Sequence, residues 1–478
     1  MTGEVQRHKV VVVGGGFGGL YCAQALGSTP VDVTLIDRRN FHLFQPLLYQ
    51  VATGALSAAN IAAPLRAVVR KQANARTVLA EVIGFDTAGR VVLTADGDAI
   101  PYDTLVLATG STHHYFGHDD WEVHAPGLKT IEDATEIRRR VLMAFEKAER
   151  EPDPAARKRM LTFVVIGGGP TGVEMAGSIS ELARNTMRRD FRAINPADAT
   201  VILIEGQPRV LPYYHEDLSA KALRYLQQMG VEVVLDSHAT AVTADHIVVT
   251  NDADPKVERR IDTETLVWAA GVRASPLGKK LAEAFGGGVE VGKAGHVAVG
   301  PDCSVPGHPE VFVVGDMASL KGKDGKPLPG VAPVAMQQGK YVAAVIRHRA
   351  RNILPPDPFQ YWDKGSMATV GRMKAVADAG IGRAGRFGGF LAWLAWLFIH
   401  VMYLAQFSNR LLVVLQWFYS YVTQGRAARL ITGEHQADRT AMLIRYAPPV
   451  KADARNVLSS QTPDNLPAPA VPAAAVAN

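Results

Sequence analysis

From Lys9 to Leu26 the chain reads KVVVVGGGFGGLYCAQAL. Four valines ahead of the glycines read as a short buried parallel strand, and the segment after them reads as a helix. Gly14, Gly16 and Gly19 fit G-x-G-x-x-G immediately after that strand. The first glycine permits the tight turn, the second lets a pyrophosphate approach the backbone, and the third lets helix and strand pack closely. A pyrophosphate held there sits at the helix N-terminus, where unpaired N–H groups point at it. A second strand, Asp32–Ile36, runs into Asp37, where a carboxylate accepts from ribose hydroxyls. Phe17 and Gly18 complete the turn, and Arg38 follows the acid. The unit reads as a dinucleotide-binding Rossmann module.

The same pattern recurs once. Leu161–Ala183 reads LTFVVIGGGPTGVEMAGSISELA, with Gly167, Gly169 and Gly172 in the three glycine positions, and Val201–Ile204 leads to Glu205. A carboxylate there accepts from a 2′-hydroxyl and repels a 2′-phosphate, which favours NADH over NADPH, although Arg209 lies close by. Glu174 falls in the first turn of the second helix, where a carboxylate complements the helix dipole. The expected fold is α/β, with two Rossmann-like dinucleotide-binding domains and a C-terminal helical, membrane-anchoring region.

Two further segments resemble motifs of the FAD-dependent pyridine-nucleotide oxidoreductases. Tyr102–Gly110 ends in Ala108-Thr109-Gly110, similar to that superfamily's "ATG" strand. Val311–Val314 closes on Gly315-Asp316, and the resemblance implies that Asp316 binds the ribityl chain. Together they assign FAD to the N-terminal module, with Gln45 and Val82 counted among its contacts. Thr265–Gly271 echoes the "ATG" strand and places Gly271 at the nicotinamide half.

Composition agrees with a folded enzyme of about two to three domains. The chain has 478 residues, 47% of them hydrophobic and 20% charged, with a formal net charge of +5. So mild an excess suits an anionic cofactor or an anionic membrane surface, and no nucleic-acid-binding motif accompanies it. The apolar run Val10–Val13 is too short for a signal-peptide core, and secretion is not expected. The cysteines, Cys22 and Cys303, form no CxxC pair and suit a reducing compartment. Their spacing excludes a dithiol relay, cysteine-dependent sulfide oxidation, an iron–sulfur cluster and a c-type haem, and no metal site is expected. Electrons therefore pass from flavin to something small and diffusible.

The C-terminal third supplies a direction. Phe390–Phe407 is apolar apart from His400 and Gln406; Arg410 follows, then Leu411–Val422. Each segment falls short of the roughly 20 residues of a spanning helix. Arg383, Arg386, Arg410, Arg426 and Arg429 flank them, and Trp393, Trp396, Trp417, Tyr403, Tyr419 and Tyr421 suit an interfacial belt. In-plane monotopic helices fit this pattern best; a buried core or dimer hairpin and a single spanning helix are the alternatives. An NADH-oxidising flavoprotein on a membrane face points to quinone. From Pro448 to Asn478 the sequence is Ala/Pro-rich and reads as a disordered tail.

With these pieces in place the sequence resembles type II NADH dehydrogenase, the non-pumping NADH:quinone oxidoreductase. The two glycine motifs, Asn40–Gly54, Gly315-Asp316, Ala332–Gly339 and Tyr361–Gly371 carry the resemblance, over about Lys9 to Pro448. It implies that Gln337 stands beside the flavin and the quinone head, with Pro333 where the family has another glutamine. It also implies that Lys364 lies at the quinone end and that Glu174 approaches the nicotinamide and flavin rings. A homodimer on the cytoplasmic face of the cell membrane, reducing menaquinone or ubiquinone, follows from the same resemblance. The expected divisions are an FAD domain at 1–120 and 295–360, an NADH domain at 121–294, a membrane-association region at 361–447 and the tail at 448–478. A soluble NADH oxidase or reductase using oxygen or a protein acceptor is the enzymatic alternative, and an NADH-sensing flavoprotein the non-enzymatic one.

Overall fold

In the computed structural model residues 7–433 are described, apart from residues 255, 324 and 424. The expected tail at 448–478 lies outside the described residues. Two sheets organise the unit Met1–Ile431. The first has six strands in the order Ser304–Val305, His308–Val313, Thr104–Leu107, His8–Val13, Val31–Asp37 and Ala75–Leu79. The last five are mutually parallel, with Val13 opposite both Ile36 and Leu107. Val10 to Val13 are buried on both faces, as a central parallel strand requires.

The second sheet repeats the design with four parallel strands, Val231–Val234, Thr200–Ile204, Thr162–Ile166 and Thr265–Trp268. In each sheet the glycine-turn strand lies between the strand that ends in the acid and the strand of the Thr-Gly or Ala-Gly motif. The local geometry repeats as well. Gly14 and Gly167 both have φ of +104°, a region that favours glycine. A Cβ on Gly19 would lie 1.9 Å from the Gly14 carbonyl oxygen, and one on Gly172 would lie 1.7 Å from that of Gly167. The third glycine of each motif is thus the condition for seating the helix on its strand.

Helix Ala332–Ala350 crosses the first glycine helix, Phe17–Ala25, at very short range: a Cβ on Gly339 would lie 2.2 Å from the Gly18 carbonyl oxygen. Helix Ile131–Arg150 opens on a capping box, Thr130 Oγ1 accepting from the Asp133 amide and the Asp133 carboxylate accepting from the Thr130 amide.

The C-terminal region is not helical throughout. It begins with a three-stranded antiparallel sheet, Ser366–Gly371, Lys374–Asp378 and Arg386–Gly389, before helices Phe390–Tyr403 and Phe407–Thr423. This sheet packs on the second glycine helix, Pro170–Glu181, where a Cβ on Gly177 would lie 1.7 Å from the Val370 carbonyl oxygen. The two helices dock back on the FAD module through Trp417 Nε1, which donates to Gln50 Oε1 at 2.7 Å, and Asn409, which donates to the carbonyls of Ala59 and Ala62.

That docking corrects the tryptophan part of the expected aromatic belt. Trp393, Trp396 and Trp417 are buried, with Trp396 only 2% exposed and its ring 5.6 Å from that of Trp417. Their amphipathic rings fill the seam between helices and core, where apolar area is buried and the Trp417 indole keeps a hydrogen bond. The basic flank is also partly spent inside: Arg426 is buried against Glu181 at 3.2 Å, Arg429 pairs with Asp190, and Arg386 lies 3.7 Å from Asp378. What faces outward is mostly aliphatic and phenyl surface, and of the expected belt Tyr419 is exposed with it. Phe398 is 63% exposed, Leu415 55% and Phe418 68%, with Leu391, Leu394, Leu411 and Val422 alongside. Among the described residues no helix is long and apolar enough to cross a membrane.

Candidate active site

A cavity of about 910 Å³ opens along the C-terminal ends of the first sheet. Gly14, Gly16, Phe17, Gly18, Asp37, Arg38, Gln45, Val82, Ala108, Thr109, Gly110 and Asp316 all line it, so most of the expected FAD set converges there. Gly19 does not line the cavity; it serves the helix–strand contact described above. The Asp37 carboxylate accepts from the Gly15 amide at 2.6 Å and the Arg39 amide at 2.7 Å, so the acid also braces the turn. His42 Nδ1 lies 2.9 Å from the Gly15 carbonyl oxygen, and burial lowers its pKa, which keeps the ring neutral and the N–H donating. A Cβ on Gly16 would come no closer than 4.0 Å to any neighbour and would instead project into the cavity, where a pyrophosphate needs the space.

Tertiary packing adds partners that no local motif announces. Ser111 Oγ donates to Asp316 at 2.6 Å, Lys129 Nζ donates to Ser111 Oγ at 2.9 Å, and Lys129 stands 3.8 Å from the Asp316 carboxylate. Gln338 is buried, and its Oε1 accepts from the amide of Gly315, which has φ of +71°. Arg39 and Glu132 both line the cavity and pair at 3.0 Å. Glycine cradle, strand-end acid, the Asp316 carboxylate and the volume together fit an FAD.

The second module presents the same device. Glu205 accepts from the amides of Gly168 and, at 2.8 Å, Gln207, as Asp37 does from Gly15 and Arg39. Nothing lies within 4 Å of a Cβ on Gly169, and Gly271 is closed off by the Phe116 ring, 2.9 Å from its Cβ position. Arg209 pairs with Glu216 at 3.4 Å and donates to the Pro212 carbonyl at 2.9 Å.

Glu174 joins the two halves. The helix that carries it belongs to the nucleotide module, yet Glu174 and Thr171 line the FAD cavity. Burial pushes its carboxyl up to about 8, partly offset by a hydrogen bond from the Thr369 backbone on the C-terminal sheet. The close crossing at Gly177 brings that strand onto the helix, and Glu174 shares its face (i, i+3). A carboxyl protonated near neutral pH at a redox cavity is equipped to give up a proton.

Gln337 and Lys364 lie elsewhere. The Gln337 carboxamide donates to the Trp362 carbonyl at 2.9 Å and accepts from the Trp362 amide at 3.0 Å, and neither Gln337 nor Lys364 lines the cavity. Lys364 Nζ donates to Tyr403 Oη at 3.0 Å and stands over the Trp362 ring. These four side chains form one exposed cluster beside the cavity, reached through Ala332 and Ala335 of the helix that carries Gln337. Cys22 and Cys303 are both free and buried, and burial pushes the Cys22 thiol up to about 12, so neither is a reactive thiolate.

Two nucleotide modules bordering one cavity, without a reactive thiol pair at its wall, define a flavin- and nicotinamide-dependent oxidoreductase. The pyridine nucleotide-disulphide oxidoreductase family matches residues 8–339, and the NDH2 C-terminal domain matches residues 363–426. The chain is 47% identical to a type II NADH:quinone oxidoreductase of Mycobacterium tuberculosis over 442 residues, 91% of this chain and 93% of that one. It is 30% identical to another from Staphylococcus haemolyticus over 373 residues, 76% of this chain and 88% of that one. The solved structure of NDH2 from Plasmodium falciparum in complex with NADH shares the fold, with a TM-score of 0.79 at 18% identity, covering 89% of this chain and all (100%) of that one. The sulfide:quinone oxidoreductase of Aquifex aeolicus is a more distant likeness, with a TM-score of 0.65 at 17% identity over 91% of this chain and 95% of that one. The chain belongs to the type II NADH:quinone oxidoreductases.

Proposed function

We propose that Glu174 is the proton donor of the reaction, that quinone enters at the Gln337–Trp362–Lys364–Tyr403 cluster, and that the outward face of residues 390–422 rests on the membrane. The activity itself is NADH:quinone oxidoreduction with FAD as prosthetic group. FAD held in this cavity would supply the redox chemistry, hydride acceptance from NADH and two-electron donation to quinone. The protein supplies position and electrostatics. The glycine turn and helix Phe17–Ala25 hold the pyrophosphate, Asp37 the ribose, and Asp316, kept in place by Ser111 and Lys129, the ribityl chain. In the nucleotide module Glu205 selects NADH by repelling a 2′-phosphate.

The observation that carries the proton role is the placement of Glu174. It is a neutral carboxyl on a nucleotide-module helix, opening into the flavin cavity. At the cluster, the Gln337 amide exchanges its Trp362 backbone partner for a quinone carbonyl, and Lys364 stabilises the developing oxygen charge. The exposed Phe398, Leu415 and Phe418 give the apolar face that an interfacial helix pair needs. A membrane-bound homodimer on the cytoplasmic side, where NADH is available, completes the reading.

The test separates the half-reactions. In stopped flow, NADH bleaches the flavin and a short-chain quinone restores its colour; Glu174→Gln slows the second step at least tenfold and the first much less. Equal slowing of both steps removes Glu174 from the proton role.

A further inference from the structure

NADH brings two electrons and one proton as hydride, whereas a quinol takes two electrons and two protons. One more proton therefore enters the site in every turnover. The cavity wall around Glu174 indicates where it comes from.

A second, smaller cavity of about 60 Å³ lies behind the flavin cavity, between the second glycine helix, the C-terminal sheet and the C-terminal helices. Tyr49 lines both cavities. Thr369, whose backbone bonds Glu174, lines the smaller one. Its wall is mixed: Trp393 and Trp417 contribute apolar surface, and Ser178, Glu181, Arg372 and Arg426 contribute polar groups in addition to Tyr49. Trp396 also lines it, and the buried Trp396 indole N–H has no protein partner. These polar groups, with the unpartnered indole N–H, can hold water, and the volume has room for on the order of four molecules. Asn185 at its rim is exposed, which opens the chain of polar groups to solvent.

Tyr49 is built as the connection. Its hydroxyl accepts from Gln50 Nε2 at 2.9 Å, and Gln50 is itself fixed by Trp417 Nε1 at 2.7 Å. A tyrosine hydroxyl has one hydrogen to give, and with Gln50 donating to it that hydrogen is left for another acceptor. The Glu174 charge is close enough to raise the Tyr49 pKa further, and burial raises it most, so the phenol passes a proton on without storing a charge.

We infer that this rear cavity is the proton inlet of the enzyme and that Tyr49 relays protons from its water to Glu174. The inference rests on the proton-donor reading of Glu174. As the Glu174 O–H bond breaks, an O–H bond forms on the acceptor. The carboxylate then takes the Tyr49 proton while the phenol oxygen takes one from cavity water, and solvent at Asn185 makes up the loss. Nothing is oxidised or reduced along this path. Charges facing it are Glu181 and Arg426, paired at 3.2 Å, and Arg372, which stands over the Tyr421 ring.

The holoenzyme tests this in the flavin-reoxidation step with a short-chain quinone. Tyr49→Phe is expected to slow reoxidation at least tenfold, to enlarge the solvent deuterium isotope effect, and to be partly rescued by imidazole buffer. Ala55→Leu, which fills the rear cavity from its wall and leaves Tyr49 and Glu174 in place, is expected to give the same enlarged isotope effect. Slowing without a larger isotope effect and without rescue, or wild-type reoxidation in both variants, overturns the inlet. If Glu174→Gln slows reoxidation while both cavity variants do not, the route fails and the donor stands. If only the cavity variants show the signature, the cavity and Tyr49 stand as the inlet, and the delivery to Glu174 is overturned together with its donor role.

Discussion

Replacing Glu174 with glutamine tests the electrostatics of the site by way of stability. A carboxyl that ionises at 4.5 in the unfolded chain and at about 8 in the native one gives a defined pH signature. Below 4.5 both states hold the proton and the group costs the fold nothing. Between those values the unfolded chain releases the proton while the native protein keeps it, so stability falls as pH rises, by about 1.4 kcal/mol per pH unit. Above 8 both are ionised, and the accumulated cost is roughly 5 kcal/mol at most, because the side chain keeps some access to solvent. Glu174→Gln removes the titration. Its thermal midpoint relative to wild type, measured on holoenzyme at a fixed scan rate, is therefore expected to climb by on the order of 5 °C between pH 5 and pH 9 and to level off above pH 8. The wild-type rate of flavin reoxidation by quinone is expected to decline as pH rises through about 8, where the acid form is lost, and this limb is absent from the variant. A midpoint difference that stays flat across that range refutes the claim that this wall keeps a carboxyl neutral.

Three other outcomes follow from the geometry. Gln337→Leu removes the amide that exchanges with Trp362, and is expected to raise the quinone KM about tenfold while flavin reduction by NADH stays near wild type; equal losses in both half-reactions speak against the entry cluster. Phe398→Glu combined with Phe418→Glu places two charges on the outward face, and is expected to release the protein from anionic lipid vesicles in a flotation assay; full retention contradicts membrane contact by these helices. Glu205→Ala lifts the repulsion of a 2′-phosphate but also frees the Gly168 and Gln207 amides, so the kcat/KM ratio of NADH to NADPH is expected to fall at least tenfold; an unchanged ratio moves selectivity elsewhere.

How much was legible in the residues alone depended on how local each feature is. Both glycine turns and both strand-end acids could be read directly, because a tight turn, a helix start and a carboxylate follow one another within a single strand–helix unit. Lys129 and Ser111 could not, since they reach Asp316 only through the fold. The same holds for Tyr49, which gains meaning from two cavities that share its ring. Gln337 and Gln338 are neighbours on one helix, and periodicity does not say which is turned inward; Gln338 holds Gly315, and Gln337 faces Trp362. Hydropathy flagged the C-terminal helices as apolar all round, but not that their tryptophans face the protein and their phenylalanines and leucines the outside. The three-stranded sheet ahead of them was missed because its strands are short and rich in Gly and Ala, a weak β signal.

The contact between Gly177 and the Val370 carbonyl bears on how substrates come and go. With no room there for even one carbon atom, the nucleotide-module helix and the C-terminal sheet are in direct backbone contact, and a swing of one away from the other breaks the seat of Glu174. Any opening for nucleotide or quinone that leaves Glu174 in its seat must therefore come from some other part of the wall.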